Sequence, residues 1–332
     1  GDDFIDTLSN DKTMAHMKQK MSIKADQIKN QSLPESCGTL TLYGSEGELY
    51  TLYCGNLRRK WQFLSRSSED DRVIKEVLDQ TTSVAWTEAV SLVEALADHK
   101  FILKNSTPLY QQQLFPPRDY VYLALSAEAF PFVRISEHTT EDWQYLGPFR
   151  SRFFLTDFID SLSRILKLPH CEQLSFPCEK FDRDLCRGWC LSLNTEREID
   201  STRDLEKLQK LLFESYMTPS DSVIKLLRTQ YDTYFDNLEF EKAEMFTEPL
   251  EIHRKYKDWL EFLIATKSLN FQDQNYKVVD GQLAAALIEG EWHDLHILRT
   301  EFRPNELLAL DKAVVDEARV IYDYYKTKIE VL

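Results

Sequence analysis

The sequence predicts an α+β protein: a small mixed α/β domain, then a cysteine-bearing linker region, then a helical region. Three observations carry this. Glycine supplies only 9 of 332 residues, about 3% against a usual ~7%, so few positions take positive φ freely and a chain of many tight hairpins is disfavoured. Two alternating apolar runs flank a glycine-containing loop between residues 38 and 53, the pattern of a single hairpin. From about residue 200 to 267 the periodicity is helix upon helix. Apolar residues at 43% and aromatics at 12% are enough to bury a core, so disorder is not the default.

Along the chain, residues 1–32 read as a polar N-terminal helix, with Met14, Met17, Met21, Ile23 and Ile28 spaced loosely for one face. Leu33-Pro34-Glu35-Ser36-Cys37-Gly38 ends it. Strands are expected at Gly38–Tyr43 and Glu48–Tyr53, helices at Arg58–Ser65 and Asp70–Asp79, a third strand at Ser83–Trp86 and a helix from Glu88 to Ile102. A domain over 33–112 follows. Residues 113–198 form the linker, with strands at Tyr120–Leu125 and Phe132–Ser136, a turn at Tyr145–Phe149 and a helix from Ser151 to Leu166 stopped by Pro169. The helical region covers 199–268, broken at Thr218-Pro219-Ser220. A C-terminal extension, 269–332, holds a short strand at Tyr276–Val279 and a closing helix from Glu306 to Lys328.

The net charge is −15 and the pI about 5.0. A uniformly basic nucleic-acid coat is excluded, so any nucleic-acid contact needs a local basic patch. Arg58, Arg59, Lys60 and Arg66 sit with Trp61 in one short segment, and Arg150 and Arg152 flank a Gly-Pro turn. Cations interleaved with aromatics suit phosphate contact and base stacking; an ordinary solvated helix face is the alternative. No stretch approaches the ~18 to 20 apolar residues of a membrane span. Gly1-Asp2-Asp3-Phe4 resembles no secretory signal, and six cysteines without one favour a reducing, cytoplasmic compartment.

Four of those cysteines, Cys171, Cys178, Cys186 and Cys190, are separated by 7, 8 and 4 positions. Four thiolates in twenty residues can wrap one soft metal centre, iron–sulfur or zinc. The spacing lacks the paired C-x₂-C of a zinc ribbon and tilts toward a cluster; four separate buried thiols are the alternative. Cys37 and Cys54 read as core thiols. The other histidines form no ligand motif, and there is no Walker-type loop or G-x-S-x-G elbow.

Several segments, in order, resemble the UvrC family. Leu33-Pro34-Glu35-Ser36-Cys37-Gly38 resembles the L-P-x-x-P-G opening of its GIY-YIG nuclease domain, Tyr53-Cys54-Gly55 its Y-V-G, and Asn56-Leu57-Arg58-Arg59-Lys60 its N-L-R-K-R. Glu94-Ala95-Leu96 is similar to the E-A-L of the metal-binding helix, and Pro108-Leu109-Tyr110-Gln111 to its P-x-Y-N exit. Tyr145-Leu146-Gly147-Pro148-Phe149 resembles Y-F-G-P-Y/F, the cysteine spacing the family's C…P-C-x₇-C-x₃-C, and Leu238-Glu239-Phe240-Glu241-Lys242-Ala243 the start of the UVR motif that contacts UvrB. The resemblance runs from about residue 18 to 265. It implies a DNA-repair endonuclease making a 3′ incision, with a [4Fe–4S] cluster on Cys171, Cys178, Cys186 and Cys190, zinc being the alternative. Residues 266–332 leave no room for the second, RNase H-like nuclease. The layout is closer to Cho, the short homologue, or to an exonuclease fusion, in which a further domain would precede Gly1.

The nuclease positions carry over with replacements. The family's first tyrosine falls on Leu40, its second is kept as Tyr53, its arginine becomes Lys60 and its metal-holding glutamate His99; the exit asparagine becomes Gln111. Lysine lacks the bidentate fork, and Mg²⁺ prefers oxygen to imidazole. The expectation is a catalytically degenerate GIY-YIG fold that binds DNA, with Tyr53 packed in the sheet and His99 capping a helix surface. The alternatives are an endonuclease with a remodelled centre on Tyr53, Lys60 and His99, and an interaction subunit that never touches DNA. Docking of a UvrB-like partner near Phe240 is implied, although Thr247-Glu248 and Pro249 depart from the family's pattern.

Overall fold

The computed structural model describes residues 19–28, 32–114, 116–128, 131–140, 142–171, 178–193, 201–296 and 304–330. The expected N-terminal helix over 1–32 lies partly outside them, and where described it is corrected: β1 (Met21–Lys24) is a strand and a 3₁₀ turn follows at Ala25–Gln27. The apolar spacing there was too loose to hold a helix, and β1 instead pairs with the open edge of β4, its Ile23 packing on the core.

The hairpin forms as expected from β2 (Gly38–Gly44) and β3 (Gly47–Cys54). Next come α1 (Leu57–Ser67), α2 (Arg72–Gln80), β4 (Ser83–Glu88) and α3 (Leu92–Asn105). Side chains cap each helix start: Asn56 accepts from the Arg59 amide, Asp71 from those of Val73 and Ile74, and Ser91 from that of Glu94. The Glu94 carboxylate reaches back to accept from the Val90 amide at 2.6 Å, close to a capping box. The sheet runs β1-β4-β2-β3, with Leu33, Leu40, Leu42, Leu57, Val77 and Val84 in its core.

β5 (Val121–Leu125), β6 (Val133–Ser136) and β7 (Gln144–Phe149) follow. The expected turn at 145–149 is therefore a strand. β7 pairs with β5 across a register shift at Val121/Leu123, an irregularity of the kind that admits a proline without a backbone donor. Then come α4 (Arg152–Leu166), a short α5 (Glu179–Asp182), α6 (Ser201–Leu212) continuing into a π turn at Phe213–Met217, α7 (Ser222–Asp236), α8 (Phe240–Glu244) and α9 (Thr247–Thr266). Pro249 sits in the first turn of α9, where its missing N–H costs nothing.

The tail holds more strand than its sequence suggests. β8 (Phe271–Gln272), β9 (Tyr276–Val279), β10 (Gln282–Ile288) and β11 (Glu291–Asp294) form a second sheet, and β12 (Leu308–Ala309) pairs parallel with β7. The closing helix α10 is shorter than expected, Val315–Glu330. The chain divides into two units. The first is residues to Leu114 with 271–278 and 283–297; the second is 115–270 with 279–282 and 298–332. Residues 269–332 are thus shared between the units. In the first, Lys100 and Lys104 of α3 donate to the Leu283 and Asp294 carbonyls at 3.0 and 2.7 Å, tying the second sheet to that helix. In the second, the sheet β12-β7-β5-β6 packs with α4, α6 and α9; Phe158 stacks on Tyr256 with centroids 3.5 Å apart. No described helix is long and apolar enough to cross a membrane.

Gly38 sits in the central strand β2, where an added Cβ would lie 2.1 Å from the Thr87 carbonyl oxygen. Gly38→Ala is expected to destabilise the protein by about 1–3 kcal/mol through forced backbone movement, read from urea unfolding midpoints. An unchanged midpoint would contradict this close packing.

Candidate functional site

β3 lies at the edge of the first sheet, so its outward backbone groups need partners. Thr51, fully buried in β3, finds them in side chains. Gln111 takes both groups: its Oε1 accepts from the Thr51 amide at 3.1 Å, and its Nε2 donates to the Thr51 carbonyl at 2.9 Å. His99 of α3 meets the same carbonyl through Nε2 at 3.2 Å. A carbonyl only accepts, so Nε2 carries the proton and Nδ1 the lone pair. Burial lowers the His99 pKa to about 4, against the Thr51 bond and helped by Lys100. The ring is neutral at pH 7.

Tyr53 lies beside it, ring centroids 5.2 Å apart and planes tilted by 50°. Tyr110 positions Gln111: its amide donates to the Leu49 carbonyl at 2.8 Å, and its hydroxyl donates to Glu76 Oε1 and accepts from Gln80 Nε2, both at 2.7 Å. The Glu76 bond raises the Tyr110 pKa. Tyr53, His99 and Gln111 are thus brought together. His99 is not a helix-surface cap, as expected above, but a half-buried donor to the sheet. Lys60 extends over the Phe63 ring, 5.0 Å from its centroid. Its charge also acts on Cys54, whose thiol burial pushes up to about 11. Leu40 is wholly buried, paired with Leu52 on one side and Trp86 on the other, and offers no proton.

The basic residues divide by role. Arg58 is committed internally: Nε donates to the Leu33 carbonyl at 2.9 Å and Nη1 pairs with Glu35 at 2.5 Å. In the second unit Arg150 pairs with Asp316 at 2.6 Å and lies over Trp259, and Arg152 approaches Glu137 at 3.5 Å. Arg59 and Arg66 are exposed on α1. Trp61, the expected stacking ring, packs half-buried against the core. The exposed ring is Phe63, which stands i+4 from Arg59, a helical spacing that marks it in the sequence.

Cys171 and Cys190 pack against the core of the second unit, Cys178 precedes α5, and Cys186 Sγ accepts from the Gly188 amide at 3.4 Å. Burial and then the charges of Cys186, Cys178 and Cys190 push the Cys171 thiol up to about 12; burial and Cys186 also raise Cys190. The four thiols are therefore electrostatic neighbours, a donor set whose chemistry fits a soft metal or iron–sulfur centre. Among the described residues no three His, Cys, Asp or Glu side chains converge closely enough to grip one ion. In the helical region Phe240 is 53% exposed, next to Phe235 with centroids 5.2 Å apart, and Leu238 and Met245 are also exposed.

Curated relatives match this chain over most of its length. It is 27% identical over 225 residues to UvrABC system protein C of Methanosphaera stadtmanae, covering 66% of this chain and 36% of that one. The same protein of Nitrosomonas europaea is 23% identical over 321 residues, 91% of this chain and 50% of that one. That of Caldicellulosiruptor saccharolyticus is 26% identical over 269 residues, 76% and 42%. The chain is a relative of the UvrC proteins. It spans about a third to a half of the length of these relatives. No family model matches it, and no solved structure gives a significant match.

The neutral His99 has a pH consequence. Its folded pKa of about 4 lies below the ordinary ~6.5, so the unfolded chain takes up a proton that the fold rejects. Stability is lost as pH falls from about 6.5 toward about 4, by up to about 3 kcal/mol. Urea unfolding at pH 7 and at mildly acid pH should show a smaller acid loss in His99→Gln than in wild type. His253, lowered to about 4 by burial in the other unit, titrates in both proteins and cancels from the comparison. Equal acid losses would refute the neutral His99.

Proposed function

We propose that this chain is a nucleotide-excision-repair type protein that binds DNA through a nuclease-like domain which no longer cuts. The kinship with the UvrC proteins supports the repair setting. The observation that carries the loss of cutting is His99. Where the UvrC resemblance implies a metal-holding carboxylate stands an imidazole whose Nε2 is spent on the Thr51 carbonyl. Mg²⁺ asks for oxygen ligands, which an imidazole does not supply. Leu40 removes one of the two tyrosines that would handle the water proton, and Lys60 replaces a forked guanidinium by a point charge. Phosphate attraction on α1 remains. The exposed Phe240 corner between α7 and α8 is the reading's docking point for a UvrB-like partner.

Incision assays on lesion-bearing duplex with Mg²⁺ or Mn²⁺ test the loss of cutting. The expected result is retained DNA binding without cleavage above background. Metal-dependent cuts that vanish in Tyr53→Phe would establish the remodelled endonuclease instead.

In the same reading Cys171, Cys178, Cys186 and Cys190 hold a [4Fe–4S] centre. The group supplies a cross-link through its iron–thiolate bonds. The four cysteines would supply the thiolates, and Lys180, just past Cys178, donates to the carbonyl of His170, the residue before Cys171, at 2.8 Å. Purified protein is expected to be brown and to contain iron and acid-labile sulfide, both reduced in Cys186→Ser. A colourless protein with stoichiometric zinc would overturn the cluster in favour of a zinc site.

A further inference from the structure

Helix α1 departs from the charge of the rest of the chain. Its eleven residues hold Arg58, Arg59, Lys60 and Arg66 and no carboxylate, in a protein of net charge −15. Arg59, Phe63 and Arg66 are spaced i, i+4, i+7, one stripe of a helix, and all three are exposed. The opposite side is occupied: Leu57 and Leu64 are buried and Trp61 packs on the core. Phe63 is 57% exposed, with the Lys60 ammonium over one face 5.0 Å from the ring centroid. Much of the apolar ring is left in water, a cost that a flat partner on the remaining ring surface would relieve. The rise of 1.5 Å per residue places Arg59 about 6 Å and Arg66 about 5 Å along the axis on either side of the ring. The nearest acids in sequence, Glu69 and Asp70, follow the helix rather than interrupt the stripe.

We propose that this stripe is a stacking site for an unpaired nucleobase. Phe63 lies beneath the base, and Arg59 and Arg66 contact the flanking phosphates, so the site selects single-stranded DNA over uninterrupted duplex. The inference rests on the DNA-binding reading above and adds to it the form of DNA bound. A base in a duplex has both faces covered by its neighbours, whereas an unpaired base offers a face to any exposed ring, whatever its identity. Backbone phosphates alone would not distinguish the two forms, because every duplex carries them. An acidic peptide would satisfy the guanidinium groups but leave the ring without a matching partner.

The test compares the full chain with Phe63→Ala, Phe63→Trp and the double variant Arg59→Ala/Arg66→Ala. Affinities for a labelled oligothymidine and for a labelled, fully paired blunt-ended duplex are measured by fluorescence anisotropy over a range of salt. Phe63→Ala should weaken oligothymidine binding roughly tenfold and leave duplex binding unchanged, and Phe63→Trp should restore it. The double arginine variant should weaken both and flatten the salt dependence. Oligothymidine binding unaffected by Phe63→Ala, or lowered equally with duplex binding, would overturn the stacking site while leaving DNA binding intact. Wild-type protein that binds neither probe would overturn both readings.

Discussion

The edge of strand β3 is the constraint from which the first unit's site follows. A four-stranded sheet ends there, and an edge residue buried away from water cannot leave its amide and carbonyl unpaired without a penalty of roughly 1–3 kcal/mol per group. Thr51 is such a residue, and among the described residues no further strand covers it. Gln111 and His99 supply the missing partners from the chain beyond α3 and from α3 itself. This requirement fixes the His99 tautomer and holds the ring against Tyr53, while burial, opposed by the Thr51 bond, keeps it uncharged. Side chains that close a sheet edge are fixed in orientation and engaged at one polar atom. That makes the same residues poor candidates for gripping and releasing a hydrated cation.

Parts of this were visible in the amino-acid order. The alternation across Gly44-Ser45-Glu46-Gly47 marks the hairpin, and Thr218-Pro219-Ser220 marks a helix break, because both signals are local and depend on φ preferences. What pairs with what is not local. Met21–Lys24 becomes a strand because β4 has an open edge, which its own four residues do not encode. Tyr145-Leu146-Gly147-Pro148-Phe149 reads as a turn by composition, yet it is flanked by β5 and β12 and spans a sheet. The second sheet in the tail is built from short strands joined by positive-φ residues such as Asp280 and Glu289, beside Gly281 and Gly290, too short for periodicity to distinguish from loop. For the site, residue identities at 53, 60 and 99 were legible. Their contacts were not: Thr51, whose backbone engages His99 and Gln111, carries no motif. The aromatic on α1 was misassigned for a related reason: Trp61 and Phe63 are equally aromatic in sequence, and only the helix's orientation on the core decides which one faces water.

The cysteine segment poses a separate balance. Cys171 and Cys190 are pushed toward the neutral form by burial and by the neighbouring thiols, so as free side chains these two are protonated and weak nucleophiles. A bound metal reverses this, since ligation requires thiolates and its positive charge offsets their mutual repulsion. Among its described residues the segment holds a four-residue helix and a 3₁₀ turn at Trp189–Leu193. A centre shared by four sulfurs would add cross-links to the local backbone hydrogen bonds, such as those from the Leu185 and Cys186 amides to the Lys180 carbonyl.

A body with net charge −15 and one cation-rich helix also treats duplex and single-stranded DNA unequally before any base is touched. Duplex carries about one charge per 1.7 Å of axis, roughly twice the linear density of one strand in the same geometry. The acidic surface therefore repels a duplex more strongly, while α1 attracts either form through the same few cations. Screening falls off over about 8 Å at physiological ionic strength, so the attraction at the helix survives only at contact, and more distant repulsion is largely damped. Under those conditions the proposed stacking of ring against base would supply the part of the affinity that salt does not weaken. An exposed phenylalanine set between two arginines is an economical way for such a body to retain an unpaired strand, because its contribution does not require the protein's overall charge to be reversed.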